Sequence, residues 1–72
     1  MEYIRVILLD LPLELDGVTV FCEDDVYIIL ININHSNAQQ CRAYDREVSY
    51  INQRDYSHFL PLHDLKKYFP QI

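Results

Sequence analysis

The sequence has no tryptophan and a single glycine, Gly17, in 72 residues. One glycine excludes a glycine-rich phosphate loop, which needs several residues without a Cβ close to the ligand. Three prolines with that one glycine exclude collagen-like and linker-like sequence. Long apolar runs are missing too. The longest, Val26 to Ile31, is six residues, against the twenty or so of a membrane-spanning helix. A basic n-region followed by an apolar stretch is absent at the N-terminus, so no secretory signal is expected. Cysteines are few. Cys22 and Cys41 make no disulfide framework and are expected to be buried free thiols in a reducing cytoplasm. Bases are scarce as well: six Lys and Arg face eleven Asp and Glu, for a net charge of −5. Nucleic acids and anionic membranes are bound through clustered bases, so direct contact with either is not expected.

What is present is a globular composition. Half of the residues are apolar and 24% are charged, which fits one domain over residues 1–72. A chain this short buries only about 60% of its unfolded surface, so its stability is expected to be marginal. The charge is unevenly spread. Residues 1–25 hold seven acids against Arg5, a balance of −6, whereas residues 26–72 hold five bases against four acids, a balance of +1.

Tyr3 to Leu9 is β-branched and apolar and reads as a strand, which Asp10-Leu11-Pro12 ends. Asp16-Gly17 is the strongest turn signal. Val18 to Cys22 reads as a second strand, Glu23-Asp24-Asp25 as a charged turn, and Val26 to Ile33 as a third strand. The short connection predicts an antiparallel hairpin, and the continuous apolar run predicts a third strand covered on both faces. Ser36 to Gln39 matches a capping box: the Ser36 hydroxyl accepts from the Gln39 amide, and the Gln39 side chain reaches back. Ala38, Cys41, Tyr44, Val48 and Ile51 then recur at spacings of three and four, a stripe that is expected to pack on the sheet. Pro61 can open a short helix with Leu62, Leu65, Tyr68 and Phe69 on one side. The expected fold is α+β: a three-stranded, mostly antiparallel sheet on one main helix at about 36–52, with a short C-terminal helix at about 61–69.

The strings "IILININHS", "NAQQCRAY", "DREVSYI" and "RDY", with the opening "IRVILLDLP", run in an order that resembles the small ImmA/IrrE-type zinc peptidase-like domains of Gram-positive bacteria and their mobile elements. The resemblance covers about three quarters of the chain. It implies a helical H-E-x-x-H, in which two histidines one turn apart hold zinc and the glutamate is the general base. Here those positions read Arg46, Glu47 and Tyr50, so only the glutamate matches. Arginine donates and never ligates, and tyrosine rarely binds zinc. The resemblance therefore implies a pseudoenzyme scaffold with no cofactor and no catalytic residue. His35, His58 and His63 show no metal-ligand spacing and read as polar surface. Glu23-Asp24-Asp25 lacks the glycine and ligand alternation of a calcium loop and reads as a solvated hairpin tip.

On a helical wheel Arg46 and Tyr50 lie opposite the apolar stripe, and Tyr with Arg is a favoured interface composition. Asp16, Glu23, Asp24, Asp25, Arg46 and Tyr50 are thus the candidate partner-binding residues, with the acids forming a one-sided surface. The expected function is a small acidic protein-binding module of the cytoplasm. By analogy with anti-CRISPR proteins of phages and mobile elements, its partner would be the basic groove of a host nucleic-acid enzyme. Two alternatives stand beside it: a divergent zinc metallopeptidase that uses Glu47, and a structural homodimer that buries an exposed edge strand and the Tyr50 face.

Overall fold

A computed structural model describes residues 2–70. Strand β1 is Tyr3–Leu9, β2 is Gly17–Phe21, β3 is Val26–Asn32 and β4 is Phe59–Pro61. The main helix α1 is Asn37–Asn52 and the short helix α2 is Leu65–Tyr68. Single 3-10 turns at Tyr56–His58 and Leu62–Asp64 flank β4. The α+β class with one main helix and a short C-terminal helix is as expected. The sheet is not: it has four strands in the order β1-β3-β2-β4, and it is mixed. Among the described residues only β2 and β3 pair antiparallel, while β1 runs parallel to β3 and β4 parallel to β2.

The parallel pairing depends on a crossing loop held by one distant side chain. β3 is inserted between β1 and β2, so residues 10–16 must cross over its end. Asn32, the last residue of β3, is buried there and organises the crossing. Its amide nitrogen donates to the carbonyls of Leu11 (3.1 Å), Pro12 (2.9 Å) and Leu15 (2.8 Å), and its oxygen accepts from the Leu11 and Asn34 amides. One side chain thereby satisfies a loop that would otherwise bury orphan backbone groups.

The hairpin between β2 and β3 closes as expected, through a tight turn at Asp24 and Asp25. Both have positive φ, 61° and 59°, and the Val26 amide donates to the Glu23 carbonyl at 3.3 Å, the pattern of a type I′ turn. Gly17 is not needed for a left-handed turn, since its φ is not positive. It is needed for space. A Cβ there would meet the Leu30 carbonyl oxygen at 3.1 Å and the Cβ of Ala43 on α1 at 3.3 Å.

The third strand is covered on both faces, as its apolar run predicts. Tyr27, Ile29 and Ile31 pack with Ala43 and Ile51 of α1. Leu30 and Val20, on the other face, pack with Leu11 from the crossing loop and Phe69 after α2. The C-terminal helix is shorter than expected, because residues 59–64 are taken up by β4 and a 3-10 turn.

Ser36 caps α1: its hydroxyl accepts from the Gln39 amide at 3.2 Å. The Gln39 side chain does not complete the capping box; it donates to Asp16 at 2.8 Å. The helix is also rotated from the expected stripe. Its buried residues are Ala43, Glu47 and Ile51, while Ala38 and Cys41 are exposed. Both cysteines are free, but Cys22 is half-buried and Cys41 exposed, so they are not the expected buried pair. Among the described residues no helix is long and apolar enough to cross a membrane.

Candidate functional site

The three motif positions on α1 are held in two separate arrangements. Glu47 is only 3% exposed. One of its oxygens accepts from the Thr19 hydroxyl on β2 at 3.0 Å, the other from Arg46 Nε at 2.8 Å. Arg46 also grips Asp16 with both terminal nitrogens, Nη2 to Oδ1 at 2.8 Å and Nη1 to Oδ2 at 3.1 Å. That bidentate pair, helped by Gln39, holds the Asp16 carboxyl down from 3.8 to about 2 and raises the Arg46 pKa. Tyr50 stands apart from this network. Its ring stacks on His58, with centroids 3.9 Å apart and planes at 3°.

These residues do not fit a zinc ion. The guanidinium at the first histidine position has only donors, and they are directed at two carboxylates. The tyrosine at the second lies flat on a histidine ring. Glu47 is aimed into the sheet, not at an open cleft. Among the described residues no group of three or more His, Cys, Asp or Glu is gathered to hold a metal.

The candidate partner-binding residues do not form one surface. Asp16 and Arg46 neutralise each other at the start of β2. Glu23, Asp24 and Asp25 sit past the other end of that strand, which is about 17 Å long at about 3.3 Å per residue. There Asp25 lies 3.6 Å from Arg54, and its carbonyl accepts from the Tyr3 amide, which brings Glu2 to the same end. Asp10 and Glu14 lie at the Asp16 end. The expected one-sided acidic surface is therefore two acidic ends. Arg46 and Tyr50 do not lie opposite the helix's buried stripe either; they flank it. The wheel goes wrong because it counts Glu47 as outward-facing.

The structure brings forward a surface that sequence reasoning missed. Helix α1 lies over β2 and β3 and leaves the helix-side face of β1 largely uncovered. Ile4 packs at the margin of the core, but Val6 is 45% exposed and Leu8 58%. Beside them the flank of α1 presents Cys41 and Tyr44, part of the stripe expected to be core. Together they border a groove of about 550 Å³, with Asn37, Gln40 and Asp45 along its helical side. The signal available in the sequence was the length of the Ala38–Cys41–Tyr44–Val48 stripe, which is more apolar helix than one small sheet uses.

Comparison with protein-family models, with curated proteins and with solved structures returns no match.

Proposed function

We propose that this chain is a non-catalytic protein-binding domain on a degenerate relative of the zinc peptidase-like scaffold. The observation that carries the reading is the open groove beside β1. Large apolar side chains are left uncovered along one strand and one helix flank, the kind of patch that marks an interaction site. Glu47 supports it from the other side, since a carboxylate with both oxygens occupied in the protein interior is not poised to take a proton from water. The acidity of the chain favours a basic partner and would speed encounter with it. In its narrowest form the proposal is an inhibitor, encoded by a phage or mobile element, that engages a basic surface of a host nucleic-acid enzyme in the cytoplasm.

Affinity capture from extracts of cells that carry the gene tests the reading. Leu8→Lys, which places a charge in the groove, should abolish capture of the partner, and raised salt should weaken it. Unchanged capture by Leu8→Lys would sink the reading. So would a purified chain that carries stoichiometric zinc and cleaves peptides.

A further inference from the structure

We infer that the groove takes an extended peptide segment as a fifth strand beside β1, with apolar residues at alternate positions and Lys or Arg at both ends. This deepens the protein-binding reading and rests on it. Among the described residues strand β1 is an edge, paired with β3 along one side only. The Tyr3 amide donates to Asp25 and the Leu9 carbonyl accepts from Ile33, both on the β3 side. Strand alternation then turns the backbone N–H and C=O of Ile4, Val6 and Leu8 toward the open edge. Those are the same three residues whose side chains lie on the groove face. An incoming strand therefore meets free backbone groups and an apolar floor in one register, the arrangement that strand addition uses.

Edges of this kind are normally protected by a charge or a bulge. The one charged residue within β1 is Arg5, and alternation places it on the opposite face of the sheet. The charges that do surround the edge are mostly acids: Glu2 and Asp25 at its start, where Arg54 lies 3.6 Å from Asp25 and offsets one of them, Asp10 just past its end, and Asp45 on the helical rim of the groove. Among the described residues no base lines the groove. A segment with basic ends complements that field. A second copy does not. The antiparallel pairing centred on Val6, which matches all seven residues of β1, sets Glu2 of each copy against Asp10 of the other, between two chains of charge −5.

The test uses the full chain and synthetic nine-residue peptides: alternating Val and Thr flanked by lysines, the same core flanked by glutamates, and the lysine form with a central proline. Binding is read by fluorescence anisotropy, and amide hydrogen exchange is read residue by residue. The lysine-flanked peptide should slow exchange at Ile4, Val6 and Leu8 and bind at least about tenfold more tightly than the other two. Leu8→Lys should remove that protection. Protection confined to the hairpin tip at residues 23–25, or equal binding of the proline peptide, overturns the inference. So does protection of the three amides in the free chain together with a dimer in sedimentation, which assigns the edge to a second copy. If no peptide binds while Leu8→Lys still abolishes capture from extracts, strand addition fails and the protein-binding reading stands. If Leu8→Lys leaves capture intact, both fail.

Discussion

Replacing Asp16 by asparagine isolates the electrostatic part of the network that seats α1. Asn keeps the shape of the side chain and removes its charge. In the folded chain Arg46 and Gln39 hold the Asp16 carboxyl at about 2, against 3.8 for an unperturbed aspartate. That difference converts to about 2.4 kcal/mol, at about 1.36 kcal/mol per pH unit. The Arg46 side chain is 39% exposed, so water and salt screen the pair, and about 1–2 kcal/mol is the working value. A chain of 72 residues has roughly 4–11 kcal/mol of stability in all, so the loss is readily measured. The sign follows from the direction of the shift. A carboxyl whose folded pKa is depressed stabilises fully above its unfolded value near 4 and loses that contribution as pH falls toward about 2. Urea unfolding followed by far-ultraviolet circular dichroism gives the comparison. Asp16→Asn should be about 1–2 kcal/mol less stable than the parent near pH 7, and the gap should close near pH 2. Equal gaps at both ends would refute the ion-pair account and leave only altered packing.

Three further substitutions probe the other devices. Gly17→Ala sets a Cβ at 3.1 Å from a backbone carbonyl oxygen and 3.3 Å from the Ala43 Cβ, so about 1–3 kcal/mol should be lost, seen as a lower midpoint in calorimetry. Asn32→Ala strips the crossing loop of the side chain that serves Leu11, Pro12 and Leu15; a loss of about 3 kcal/mol or more is expected in urea unfolding. Tyr27→Phe should be neutral or stabilising by up to about 1 kcal/mol, because the buried hydroxyl has no hydrogen-bond partner among the described residues, and a clear loss of stability would show that it does have one.

Local signals in this sequence were read well and long-range ones poorly. The unbroken run of β3 gave its double coverage, and Ser36 gave the start of α1, because both depend on nearby residues alone. The order of the sheet depends on Asn32 reaching back 17 to 21 residues to the crossing loop, and no local pattern carries that. β4 is three residues long, below the length at which alternation can be recognised. The rotation of α1 was missed for a chemical reason. Hydrophobic periodicity assigns a glutamate to solvent, whereas Thr19, 28 residues away, and Arg46 give Glu47 the partners it needs inside. At the candidate site, the donor-only chemistry of Arg46 was legible, since a guanidinium does not depend on context. The groove was not. Val6 and Leu8 read as any core strand would, and only the sideways position of α1 leaves them open.

That position links the Arg46–Glu47 network to the proposed interface. Beside its packing on Tyr27, Ile29 and Ile31 of β3, α1 is tied to residues 16–19 at the start of β2: Gly17 lies under Ala43, Thr19 binds Glu47, Asp16 binds Arg46 and Gln39, and the Gly17 carbonyl accepts from Arg46. These contacts place the helix over β2 and β3 and leave β1 largely uncovered. A histidine in place of Arg46 has no fork to bind Asp16 and cannot make the same clamp. The Arg46–Asp16 clamp thus helps to hold the helix where it leaves a strand edge and an apolar floor exposed. Arg46 and Glu47, which tie the helix to Asp16 and Thr19, are therefore part of what sets the distance between α1 and β1, and with it the width of the groove.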